Sequence, residues 1–351
     1  MSKYSLPDWS QHNDSAAPIE DAFETYSGGF VGSYFSHEGE ESLRQEVEAT
    51  GQPWKFEDIA SSLGIASAAS PTGTYLIYKE VEACGISLAC LSRASQPVGN
   101  CVSRGGQNAL LHTICASHRQ GLTGLPEGIV AACQGVKTNP VASEPPYYSR
   151  GKSGDGWYAS ACIKALKNDS GLVVRRNYSD IGGPDLSTET KGTAHAYYRW
   201  DQVPDSFKKH CHQHPLVSVA EVTEMEALCD AIAHGHAVHT DGGEGWSKDT
   251  DEFGVASRSG SWSHSMCITA VCRDQAACKK HQTAALFLIQ NSWSHFNKTS
   301  HARVAGVGCG IPPGSFFARW EDIKHRSLYA YTDITGFKKE KLPDWSFRDL
   351  V

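Results

Sequence analysis

No stretch of this chain approaches the roughly 18 consecutive apolar residues of a membrane-spanning helix. The opening MSKYSLPDWSQHNDS also lacks the apolar centre of a secretory leader. The expectation is a cytoplasmic protein without a membrane span. Positive charge is short as well: 32 Lys and Arg stand against 39 Asp and Glu, for a net charge of −7. Nonspecific nucleic-acid binding needs clustered positive charge, so nucleic acid is not an expected partner. No C-x-x-C pair occurs, which argues against a zinc ribbon. There is no internal repeat and no low-complexity tract.

What is present is a globular composition, 40% hydrophobic and 20% charged over 351 residues, long enough to bury a sizeable core. The twelve cysteines are scattered, several of them in apolar runs. Without an export signal they read as reduced and buried.

The chain is organised around residues 96–118, QPVGNCVSRGGQNALLHTICASH. Residues 96–100 form a turn-rich lead-in to Cys101, and the apolar stretch 109–115 reads as a buried helix ending near Gly121. A cysteine at the mouth of a helix faces unpaired backbone N–H groups and the positive end of the helix dipole, both of which favour the thiolate. Taken alone, such a cysteine is more often a small core hydrophobe.

Before it, residues 1–74 are polar and loop-rich, with helices expected at 40–49 (EESLRQEVEA) and 55–63 (KFEDIASSL) and a linker at 67–73. This N-terminal extension packs on the main domain, covers a cleft or binds a partner. After Cys101, a shorter helix is expected at 125–133, starting near Pro126. Residues 144–156 read as turn-rich surface, and 157–167 as a helix. The second half changes character. Strands are expected at 216–222, 266–272 and 284–290, with a helix at 224–233 between the first two. HGHAVHTDGGEGW (234–246) reads as a strand running into a glycine-rich loop, and 329–332 closes the sheet. The fold class is α+β, helices first and then an antiparallel sheet.

Three further positions give Cys101 partners. A thiol needs a base for its proton, and the base needs a third group to fix its ring. His264 lies just before one buried strand and Asn291 just after the next. In an antiparallel pair joined by the polar connection 273–283, they stand side by side. Trp293 is placed to shield that pair from water. Gln96 is placed to donate to a developing oxyanion, with the Cys101 backbone N–H as second donor. Asp155, Gly156 and Trp157 form a helix start on the substrate side of the cleft.

The order Gln96, Cys101–helix, His264–strand, strand–Asn291-Ser292-Trp293 resembles the papain-like cysteine peptidase family, and more its divergent bacterial and phage branch than the cathepsins. The tail 310–337, GIPPGSFFARWEDIKHRSLYAYTDITGF, is similar to the end of those proteins. The resemblance spans about residues 75–337. It implies a helical lobe (75–200) bearing Cys101, packed against a β-rich lobe (201–337) bearing His264 and Asn291, with the active site in the cleft between them and residues 338–351 as a tail. It implies a Cys101 nucleophile, a His264 general base, an orienting Asn291 and an oxyanion-supporting Gln96, with no cofactor. Its substrate would be a polypeptide or a peptidoglycan peptide. The sequence departs from the cathepsins in having Val102 after the nucleophile, Ser294 after NSW, and a long Gly- and Ser-rich loop at 241–263.

Two other readings accompany this one. The fold can serve as a structural component of a phage particle, located in the virion among other virion proteins, with little or no turnover. Alternatively, residues 1–70 form an inhibitory pro-segment, as family members often carry one upstream of the nucleophile. The cluster His210-Cys211-His212-Gln213-His214 has spacing for a metal. No second ligand pair lies near it, so KKHCHQHP reads as a solvated loop and no metal is expected. His234, His236 and His239 read as structural or cleft-lining.

Overall fold

The computed structural model describes residues 33–65, 73–91, 98–135, 139–151, 156–292, 296 and 311–345. Helices dominate the first half. Among them are α1 (His37–Glu48), α2 (Phe56–Leu63), α3 (Ile77–Ala83), α4 (Cys101–Arg119), α5 (Ala159–Asn168) and α6 (Asp205–Cys211), followed in the second half by α7 (Met225–Ala233) and α8 (Gln275–His281). Strands β1 (Ser33–Tyr34) and β3 (Trp157–Tyr158) form a small parallel pair. Among the described residues the main sheet has seven strands, all antiparallel. Along it run β4 (Ser218–Glu221), β9 (Ser327–Thr332), β5 (Val238–Thr250), β6 (Ala256–Cys272), β7 (Leu286–Gln290) and β8 (Phe316–Arg319), and β2 (Tyr75–Leu76) joins β6 from the side. This is the arrangement that the resemblance implies: α4, headed by Cys101, packs across a β-rich half that carries His264 and Asn291.

Helix α4 is buried along nearly its whole length, polar residues included, so it is the central helix rather than a surface one. Its close approach to β6 depends on Gly105, and its close approach to α5 on Gly106. A Cβ at Gly105 would lie 3.1 Å from the Met266 carbonyl oxygen, and one at Gly106 would lie 2.9 Å from Leu166 Cδ1. Glycine inside a helix costs about 1 kcal/mol against alanine, a cost offset by the packing that these two positions permit. Gly105→Val is expected to destabilise the fold by about 1–3 kcal/mol, because the backbone oxygen it meets cannot rotate away. A urea unfolding curve checks this, and a midpoint equal to that of the parent would show that helix and strand have room to spare.

Several expectations need correction. The 241–263 segment is not a loop: β5 and β6 continue through it as a long hairpin, with register shifts after Gly242. His264 therefore lies within β6, not at its start. Residues 144–150 are not surface. They are helical, and Glu144, Tyr147 and Tyr148 are fully buried. The helix expected at 125–133 instead runs Ile129–Gly135. Trp157 and Tyr158 belong to a strand, with the helix beginning at Ala159. The connection between β6 and β7 holds α8. KKHCHQHP is partly helical, because Cys211 is drawn into a second apolar cluster with Tyr178 and Phe207. Strand β9 does not close the sheet but lies inside it, between β4 and β5.

The N-terminal helices appear where the sequence places them and pack on the rest of the chain. Lys167 pairs with Glu46 of α1 at 2.9 Å, and Tyr329 of β9 donates to Glu40. The 67–73 linker lies largely outside the described residues. The eleven described cysteines are all free, and Cys84 alone among them is not fully buried.

Candidate active site

Cys101 opens α4. Asn100, the residue before it, does not use its side chain to cap the helix. Its amide donates instead to Ser143 Oγ at 3.0 Å and to Glu189 Oε1 at 2.7 Å. Behind that amide lies a buried ion cluster. Arg175 binds both oxygens of Glu144 at 2.9 Å, and Arg104 donates to Glu189. Burial would push the Glu189 carboxyl up, but Arg104, Arg175 and Asn100 together hold it below its ordinary value. The turn in front of the cysteine is thus fixed from beneath by a charge network. Gly156 secures it from the other side, donating its N–H to the Gly99 carbonyl at 3.1 Å.

His264 and Asn291 meet as the strand order requires. Their neighbours Cys267 and Gln290 are paired across β6 and β7, and His264 Nε2 lies 3.0 Å from Asn291 Oδ1. An amide oxygen only accepts, so Nε2 carries the proton in the neutral ring and Nδ1 is the basic nitrogen. On the same strand, Ser265, the residue after His264, packs against α4: a Cβ at Gly105, one turn beyond Cys101, would lie 3.1 Å from Ser265 Oγ, and the Ser265 backbone favours the Cys101 thiolate. Helix α4 thus meets β6 at the residue next to the histidine.

The site is closed. Cys101, His264 and Asn291 are each 0% exposed. Burial pushes the Cys101 thiol up to about 12, with the Ser265 backbone opposing. Burial also pushes His264 down to about 3, with Asn291 opposing and Arg326 adding to the effect. At neutral pH both groups are therefore uncharged. The helix dipole, expected to favour a thiolate here, is outweighed by desolvation in this closed arrangement.

Among the other expected site residues, Gln96, Asp155 and Trp293 lie outside the described residues. Trp157 is buried in β3 beside Gly156, its ring edge-on to Tyr147. His239 is structural, bridging the Tyr331 hydroxyl at 2.7 Å and Ser265 Oγ at 2.6 Å.

Two residues near the site carry no signal in the sequence. Arg326, ahead of β9, donates to the His264 carbonyl at 2.7 Å, to Thr240 Oγ1 at 3.0 Å and to Glu244 at 3.3 Å. Asp241 of β5 is the register partner of Ser265 and accepts from the Ser33 hydroxyl of β1. Burial raises the Asp241 carboxyl to about 7, with Ser33 and Arg326 opposing. A hollow of about 470 Å³ lined by Leu63, Leu122, Ile334 and Phe337 lies past the far end of α4. At 1.5 Å per residue, the 19-residue helix puts it about 28 Å from Cys101, away from this chemistry.

No family model matches the chain, and no curated protein matches it. Among solved structures it is similar to xylellain, a cysteine protease from Xylella fastidiosa. The two are 13% identical, over 67% of this chain and 80% of that one, with a TM-score of 0.39. It is also similar to proCathepsin B S9 from Trypanosoma congolense, at 8% identity over 88% of this chain and 84% of that one, with a TM-score of 0.43.

Proposed function

We propose that the chain is a thiol hydrolase of the papain type, cleaving peptide or amide bonds through Cys101, His264 and Asn291. The observation that carries this reading is the His264–Asn291 bond on one strand pair, with the helix that Cys101 opens packed on the residue next to that histidine. In the open site, water relieves the desolvation that keeps both groups neutral. His264 Nδ1 then takes the thiol proton, and the sulfur attacks the carbonyl carbon. The developing oxyanion is met by the Cys101 N–H at the head of α4. His264 returns the proton to the leaving amine, and a water activated by the same ring hydrolyses the thioester. Asn291 holds the ring in the tautomer that this sequence of steps needs.

The N-terminal portion acts as a cover in this reading. β1 lies in parallel register with β3 at the residues following Gly156, and it packs on β5 and β6 with Ser33 buried against Asp241. This supports the pro-segment expectation for the described stretch from residue 33.

The test is alkylation by a peptidyl epoxide followed by peptide mapping, before and after limited proteolysis of the N-terminal portion. Selective modification of Cys101 among twelve cysteines, accelerated by trimming and lost in His264→Ala, is the expected result. A folded, trimmed chain that stays unlabelled at Cys101 would overturn the assignment and favour the scaffold role.

A further inference from the structure

Strand β1 shows what kind of object fits against β5 and β6: an extended backbone laid along β3, with one small side chain, that of Ser33, turned to Asp241. The group that meets that side chain is Asp241, 7% exposed. Its position is fixed by the register Asp241–Ser265 and Gly242–His264, so it stands opposite the residue on which α4 packs one turn beyond Cys101.

The surroundings of Asp241 are unbalanced in charge. Glu40 of α1 and Glu244 of β5 add negative charge, and Arg326 opposes them. The Arg326 donors are directed to Thr240, the His264 carbonyl and Glu244. Asp241 instead receives a neutral hydroxyl, a weak partner for a buried carboxylate, which burial correspondingly disfavours as an ion. A buried carboxyl with a neutral partner gains most from a cation that is brought to it by a ligand.

We propose that Asp241 is the specificity-determining residue of this site: with β1 withdrawn, it receives the lysine or arginine side chain of a peptide lying along the path β1 now takes. The proposal rests on the reading of Cys101 as nucleophile. It deepens that reading by naming the substrate class as peptides with a basic residue near the bond cleaved. Glu40 belongs to the segment that leaves with the cover, while Glu244 stays behind and reinforces the preference for a cation.

Two peptidyl epoxides differing in one side chain, arginine against norleucine, test this on the full chain, before and after limited proteolysis of its N-terminal portion, through the rate of Cys101 alkylation. The arginine probe is expected to react at least tenfold faster, and that ratio should fall below threefold in Asp241→Asn and be kept in Asp241→Glu. Equal rates in the parent chain, with Cys101 labelled, overturn the proposal and leave the thiol reading standing. If neither probe labels Cys101 before or after that proteolysis, the thiol reading falls, and calorimetry of the proteolysed chain with the corresponding arginine and norleucine peptide amides decides the pocket. Arginine-dependent binding that is lost in Asp241→Asn retains it, and equal or absent binding overturns it. The comparison within the parent chain needs no variant, so a misfolded Asp241→Asn does not shelter the proposal.

Discussion

Replacing Cys101 by alanine is expected to lower hydrolysis of a fluorogenic peptide by roughly four orders of magnitude or more, and His264→Ala to do the same. The two act on one proton and one bond, so the double variant should be no worse than either single one. Asn291→Ala should cost less, since the ring survives and only its orientation and tautomer are lost. Undiminished turnover in the Cys101 or His264 variant would remove the mechanism altogether. Circular dichroism of each variant separates loss of chemistry from loss of fold.

The second large effect concerns stability. Arg175 and Glu144 have side chains 0% exposed, and Arg175 also stands 3.6 Å from Glu189. Arg175→Met leaves two carboxyls buried without their shared cation, which costs about 3–5 kcal/mol. That is a large share of the roughly 5–15 kcal/mol by which a typical domain is stable. Urea unfolding should show the midpoint falling accordingly, and a loss under about 1 kcal/mol would mean that the cluster relaxes freely.

The same cluster sets an acid limit. Glu189 is held below the ordinary 4.5 in the folded state. Its contribution is therefore complete above that value and is lost as pH falls through the lower, folded one. Asn100 is bonded to Glu189. Activity in Arg175→Met should accordingly fall even at temperatures where the chain remains folded.

The sequence made legible whatever depends on local pattern or on strand order. The α4 helix, the β6–β7 pair and the meeting of His264 with Asn291 all follow from apolar runs and their boundaries. The 241–263 hairpin was obscured because its glycines and serines read as loop, whereas long-range pairing and bulges keep them in strands. The 144–150 segment was misread for a related reason. Two prolines and a glutamate suggest surface, until Arg175, far along the chain, supplies the partner that lets Glu144 be buried. Asp241 and Arg326 carry no motif at all. Their importance comes from cross-strand register, which one-dimensional spacing does not encode. The Gly105–Gly106 pair was a usable signal, since glycine inside a helical pattern points to a close neighbour.

The place of β9 between β4 and β5 also bears on how the molecule is made. Domains form from the N-terminal side as a chain emerges during synthesis, and α4 with its helical neighbours belongs to that early part. His264, Asn291 and Arg326 come later. Strand β5 gains its neighbour on that side only once residues 327–332 have been added. Contacts between segments so distant in sequence form slowly. Cys101 is therefore present well before His264 and Asn291, and under the proposed mechanism its thiol has no base within reach until the last strand threads into the sheet.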